Sequence, residues 1–237
     1  MRLGMPRVWA GVCAAALLSL GPGKAAAVIF MDNFDSEPVP ASPGWVANYN
    51  SFANFFVNDG TVDLLGPTNP FGLTGVGNFV DLDGSTNNGG FLETIRQFNY
   101  SAGDSVTLDV LVSGNQRGGT DGLFAGFRFF NPRSIDHINF SGFTSFSTPN
   151  TPAQELLGIA SVASNSPYQT YSISFRALTS GTLTALVGTD SADNVGPLLD
   201  GVSLAAVPEP ATWALSIAGL GLLGAGLRRR RAAAVPA

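Results

Sequence analysis

Tyr171-Ser172-Ile173-Ser174-Phe175 is the stretch that decides the fold. Large apolar and small hydroxyl side chains alternate there with a period of two. That places one set on each face of an extended strand and fits no helix. The same alternation recurs upstream, where Leu108 and Val110 alternate with Thr107 and Asp109. Further short β-rich runs lie at 77–82, 91–98, 123–130, 182–187 and 198–204. Turn-forming residues separate them, as in Ser85-Thr86-Asn87-Asn88-Gly89-Gly90 and Ser164-Asn165-Ser166-Pro167. Many short strands with turns between them predict an antiparallel sandwich. We therefore expect one all-β domain over 28–206, an antiparallel jelly-roll-like β-sandwich without internal repeats. Only 153–158 reads as a turn or two of helix.

Charge divides the chain unevenly. The net charge of the 237 residues is −5, but three of the 12 basic residues precede Val28 and four are Arg228 to Arg231. The span 28–206 keeps five arginines against 16 acids, a net −11, and no lysine. Such a domain repels nucleic acid and anionic lipid and offers carboxylates to divalent cations; the plainer alternative is acidity that serves solubility. Cys13 is the sole cysteine, so no disulfide can brace 28–206. Its length is enough for a self-sufficient core.

Both ends read as targeting signals. Val207-Pro208-Glu209-Pro210 is followed by an uncharged apolar run over 211–227 and then by Arg228-Arg229-Arg230-Arg231. As a helix at ~1.5 Å per residue that run reaches roughly 25 Å, the short end of what spans a bilayer. The arginines favour the cytoplasmic side, with 232–237 as a short tail and the main domain outside. Pro208 and Pro210 lack backbone donors and hold their neighbours extended, presenting Glu209 as an accessible peptide. A plain membrane anchor with a proline stalk is the alternative. At the other end, Arg2 and Arg7, an apolar stretch over 8–20 and Ala25-Ala26-Ala27 predict a secretory signal peptide over 1–27, for the general secretory machinery and signal peptidase.

The tail resembles the PEP-CTERM sorting domain of Gram-negative bacteria in its Val-Pro-Glu-Pro motif, its Gly- and Leu-rich span and its terminal arginines. The resemblance implies processing by an exosortase at or beside Pro208, Glu209 and Pro210, with Arg228, Arg229, Arg230 and Arg231 retaining the helix in the membrane meanwhile. It implies export across the inner membrane, transient anchoring, and delivery to the cell surface or extracellular matrix.

Three stretches of the main domain are similar to jelly-roll, galactose-binding-like modules: Phe79-Val80-Asp81-Leu82-Asp83-Gly84-Ser85, Val110-Leu111-Val112-Ser113-Gly114-Asn115, and the run from Asn194 to Leu204. The resemblance implies a carbohydrate-binding ancestry. In the last stretch Gly201 stands where such modules carry an acid or amide after the aspartate, which weakens transfer of a ligand role. The resemblance also implies a structural calcium between the first and last strands, with Asp32, Asp35 and Asp200 as its ligands. The alternatives are the Asp81-Leu82-Asp83-Gly84-Ser85 loop, which lacks the later residues of an EF-hand, or turn aspartates that only satisfy backbone amides.

Sugar binding needs exposed aromatic faces beside amides. Trp45 and Tyr49, in an asparagine-rich stretch with Phe52, Phe55 and Phe56, are the candidates; Phe55 or Phe56 is expected in the core. Catalysis has weaker support. His137 is the only histidine and no Gly-x-Ser-x-Gly elbow accompanies it. A glycosidase needs two facing carboxylates, and nothing local distinguishes Glu37, Glu93 or Glu155. The sequence thus predicts a non-enzymatic surface or matrix protein associated with exopolysaccharide. A ligand-free structural matrix protein and a carboxylate-dependent glycan hydrolase are the alternatives.

Overall fold

The computed structural model describes residues 27–131, 134–148 and 154–207. These form fifteen strands and no helix. The first seven are β1 (Ala27–Asp32), β2 (Trp45–Val46), β3 (Phe55–Asp59), β4 (Asp63–Leu65), β5 (Phe79–Asp81), β6 (Phe91–Thr94) and β7 (Phe98–Tyr100). The longer ones follow: β8 (Ser105–Ser113), β9 (Thr120–Phe129), β10 (Ile135–Ser141), β11 (Ser145–Ser147), β12 (Gln154–Ala163), β13 (Gln169–Ala177), β14 (Gly181–Gly188) and β15 (Leu198–Val207).

They pair in two antiparallel sheets. Sheet I has the order β10-β13-β8-β15-β5-β4-β2, with β1 also on β15; sheet II has β11-β12-β9-β14-β6-β3, with β7 also on β14. From β7 onward the chain changes sheet at every connection but that between β11 and β12. Consecutive strands therefore face each other across the core, which is the jelly-roll-like sandwich the alternation predicts.

One set of each alternating pattern fills the interior. Leu108, Val110, Ile173, Phe175, Val202 and Leu204 of sheet I meet Leu123, Ala125, Phe127, Phe129, Leu183 and Val187 of sheet II. Phe127 and Phe175 meet edge-to-face across the layers, centroids 5.0 Å apart. A smaller cluster of Leu65, Leu73, Phe79 and Leu198 closes one flank, with Trp45 and Tyr168 packed on it.

The expected helical turns at 153–158 do not form. Residues from Gln154 to Ala163 are β12, paired along their whole length with β9, from Gln154 opposite Phe129 to Ala163 opposite Thr120. Leu156, Ala160 and Val162 enter the core at even spacing, and a full ladder outweighs the helical preference of Gln-Glu-Leu-Leu. The run 91–98 is two strands, β6 and β7, each against a different part of β14.

The signal peptide, Pro208, Glu209, Pro210, the apolar span and the arginine cluster lie outside the described residues. Among the described residues no helix is long and apolar enough to cross a membrane.

Candidate functional site

The outward face of sheet II is built in rows that the strand register aligns. Phe91 on β6, Gly188 on β14, Phe124 on β9 and Ile159 on β12 form one row. The next holds Phe56 of β3, Glu93, Leu186, Gly126 and Leu157. A third holds Thr184, Arg128 and Glu155. The first row is aromatic: the rings of Phe91 and Phe124 stack with centroids 5.9 Å apart and planes 29° from parallel. Gly188 makes room for this, because a Cβ there would lie 2.6 Å from Phe91 Cγ. Phe56 adds a ring that is 40% exposed.

Beside the rings sits a fixed polar network. Arg128 donates through Nη1 to Glu93 Oε2, and through Nε and Nη2 to Glu155 Oε1 at 3.0 and 2.8 Å. Thr184 Oγ1 donates to Glu93 Oε1 at 2.6 Å. The Asn58 amide, oriented with its oxygen toward the guanidinium, accepts from Nη1 and Nη2. Glu93 is nearly sealed, at 3% side-chain exposure, whereas Arg128 keeps 24% and Glu155 16%. Charge-assisted bonds hold the guanidinium plane in place, and with Asn58 they engage all five of its N–H donors. A fixed polar network beside stacked rings suits a flat, hydroxyl-bearing ligand, with the rings taking its apolar face.

The residues expected to grip sugar fall elsewhere. Tyr49 is buried: its hydroxyl donates to Glu37 Oε2 at 3.0 Å and its ring meets Phe52 edge-to-face at 4.6 Å. It has no free face for a sugar, because its polar group is already satisfied inside the core. Trp45 is half-buried on β2 of sheet I, its ring set edge-to-face against exposed Phe71 at 4.8 Å. Of the neighbouring phenylalanines, Phe55 is core and Phe56 lies on the outer face of sheet II.

The three aspartates named as calcium ligands each accept backbone amides. Asp32 Oδ1 takes the N–H of Phe34, Asp35 Oδ1 that of Asn78, and Asp200 Oδ2 that of Val76. Asp32 and Asp200 share a groove of about 350 Å³ with Asp109 and Gly201. Burial, followed by the charge of Asp35, pushes the Asp200 carboxyl up, while the Val76 amide opposes this. Among the described residues no three acidic, histidine or cysteine side chains converge as a metal cage. His137 lies exposed on β10 at the edge of sheet I, against Asp136.

A polar cleft of about 670 Å³ opens at the loop end, lined in part by Thr74, Gln116, Arg117, Asn165 and Tyr168. Its one arginine is committed to Asp81. Burial pushes the Asp81 carboxyl up to about 7, against the opposing pull of Arg117 and two backbone amides.

The sequence reading did not identify Phe91, Phe124 or Arg128 as site residues. The signal was present in the run 123–130, where Phe124, Gly126 and Arg128 occupy the outward positions.

Residues 206–231 match the family described as the PEP-CTERM protein-sorting motif. That motif implies an exported protein, transiently anchored and processed by an exosortase. No curated protein gives a significant match. Among solved structures, the chain is similar to the CBM22-1–GH10 modules of Clostridium thermocellum xylanase 10B complexed with xylohexaose, at 14% identity and a TM-score of 0.42. That alignment covers 76% of this chain and 27% of the other, so this chain spans about a quarter of that protein. The CBM22-2 xylan-binding domain of Paenibacillus barcinonensis Xyn10C aligns at 8% identity and a TM-score of 0.41, over 75% of this chain and 98% of that one. A glycosyl hydrolase family 16 protein of Mycobacterium smegmatis aligns at 12% identity and 0.30, over 75% and 100%.

Proposed function

We propose that this protein is an exosortase-sorted, non-catalytic component of the cell surface or extracellular matrix, and that it holds exopolysaccharide on the outer face of sheet II. The observation that carries the binding part is the pairing of a stacked Phe91–Phe124 row with the clamped Arg128, four residues along β9 from Phe124 on the same sheet face. Pyranose rings present an apolar face and an equatorial rim of hydroxyls, and this surface offers a complement to each. Glu93 and Glu155, on the same sheet face as the rings, are both committed to one guanidinium. That arrangement suits recognition more than acid–base work, which needs a carboxyl free to give up and retake a proton.

Sorting and binding are tested together in the native host. The wild-type product should begin near Val28, end near Pro210, and co-purify with extracellular polysaccharide. Replacing Pro208-Glu209-Pro210 by alanines should leave an unprocessed, membrane-held chain. Phe124→Ala should be processed normally yet leave the polysaccharide fraction. A mature wild-type chain that keeps its four terminal arginines contradicts the sorting part. Undiminished co-purification of Phe124→Ala contradicts the binding part.

A further inference from the structure

The aromatic row of sheet II continues into exposed carboxylates. Asp59, at the end of β3, is the register partner of Phe91, so an exposed acid closes the row on one side. Its Oδ1 accepts the Gly60 N–H at 2.8 Å and Asn88 Nδ2 at 3.4 Å. A second exposed acid, Asp190 just after β14, lies against Gly122 of β9. A Cβ on Gly122 would come within 2.0 Å of Asp190 Oδ1, so only a glycine lets this carboxylate rest on the sheet. Gly122 precedes Phe124 by two residues on the same face, about 7 Å along the strand. The Glu93–Arg128–Glu155 network stands beyond the rings in the opposite direction along β9.

This face has no cation to offer an anionic ligand. Four carboxylates stand against one guanidinium, and Glu93, Glu155 and Asn58 engage all five donors of that guanidinium. Of the other described arginines, Arg117 pairs with Asp81, Arg176 pairs with Asp136, and Arg96 lies over the Phe98 ring. The span 28–206 adds a field of net −11 without a lysine. A glycan bearing uronate, sulfate or phosphate would be repelled here. A glycan bearing ammonium groups meets the reverse: carboxylates beside a stacked sugar, and ring faces that attract a cation. A basic peptide would also satisfy the acids, but its lysines carry no flat apolar ring to cover Phe91 and Phe124.

We propose that the polysaccharide held on sheet II carries free amines, an incompletely N-acetylated hexosamine chain whose ammonium groups lie against Asp190 and Asp59, an inference that rests on sheet II being the glycan face. The rings take the sugar's apolar side, and the flanking acids select its charge.

The test is affinity electrophoresis of the full chain in detergent through the producing cell's extracellular polysaccharide. The polysaccharide is used native and after acetic anhydride has capped its amines, at about pH 6, where a primary amine is protonated. Mobilities are taken relative to a polysaccharide-free gel. Capping should raise the apparent Kd about tenfold or more, because every amine along the chain is lost at once. Asp190→Asn should weaken retention by native polysaccharide about threefold, the scale of one exposed ion pair, and should not alter retention by the capped form. Asp136→Asn removes the same charge from sheet I and should change neither.

Equal retardation of wild type by the two polysaccharides, with Phe124→Ala still unretarded, overturns the amine assignment and leaves the glycan face standing. Unretarded wild type in native polysaccharide removes the glycan face itself, and this inference with it. Full retention of Asp190→Asn overturns the assignment, as do equal losses from Asp190→Asn and Asp136→Asn, which would report net charge alone. Displacement of the polysaccharide by an equivalent amount of lysine hexapeptide overturns it in favour of a basic peptide.

Discussion

The two sheets obey the same alternation yet turn opposite chemistries outward. Across sheet I the outward rows read Met31, Ser203, Asp109, Ser172 and Ser141, then Ala205, Thr107, Ser174 and Asn139. These are mostly short hydroxyl and amide side chains, fit for water. Across sheet II the equivalent positions carry Phe91, Phe124, Phe56, Arg128, Glu93 and Glu155. Strand formation and core packing ask nothing of an outward residue beyond compatibility with a pleated surface. Rings and a buried ion pair on one outer face, with serines on the other, are the contrast on which the proposed ligand face rests. Solvation alone would leave both faces alike.

The inner faces should be equivalent, and that is the first way to break the comparison. Phe127→Ala in sheet II and Phe175→Ala in sheet I should each cost about 3–5 kcal/mol in urea unfolding, the usual price of a deleted core ring. A small loss at only one of them would mean that the layers are unequally packed.

The outer faces should then diverge. Arg128→Ala leaves Glu93 buried without its cation. Because Arg128 is about a quarter exposed, the cost should be about 1–3 kcal/mol, below that of a sealed pair. Asp136→Asn, which removes a solvent-exposed pair with Arg176 on sheet I, should change stability by less in the same assay. A smaller effect is expected on binding: Phe124→Ala should weaken glycan affinity by about tenfold with the fold intact, and Ser172→Ala should not alter it. Equal losses from both would erase the distinction between the faces.

A pH slope separates a further pair of groups. Burial raises Asp81 to about 7 in the fold from an ordinary 3.8. The folded chain thus holds this proton more tightly than the unfolded one. The resulting stabilisation is full below about pH 4 and is lost as pH rises through about 7. In chelator, the urea midpoint should be higher at pH 5 than at pH 8. Asp81→Asn should flatten that difference, and an unchanged slope would assign it to other groups.

Much of the fold was legible because burial on one side writes a period of two, as in Tyr171, Ile173 and Phe175. Edge strands β10 and β11 carry weaker burial, and their Asp-His-Ile-Asn and Ser-Phe-Ser runs gave no such pattern. β12 was obscured because its pairing with β9 is long-range information that a local run does not contain. The candidate site was harder. Tyr49 looked like a surface aromatic among asparagines, but Glu37, twelve residues away, satisfies its hydroxyl inside the core. Arg128, Glu93 and Glu155 come from three strands, and only the register brings them together. Phe124 was countable as an outward position, but nothing in one strand shows that Phe91 stacks on it from β6, two strands away. The sorting tail was readable throughout, since its chemistry is a linear order of proline motif, apolar run and arginines.

Affinity electrophoresis through the producing cell's extracellular polysaccharide tests the central claim most directly, with wild type, Phe124→Ala and Ser172→Ala run side by side. The account predicts that wild type and Ser172→Ala are retarded and that Phe124→Ala migrates nearly as it does in a polysaccharide-free gel. Unretarded wild type, or equal retardation of all three, would contradict a glycan-binding face on sheet II.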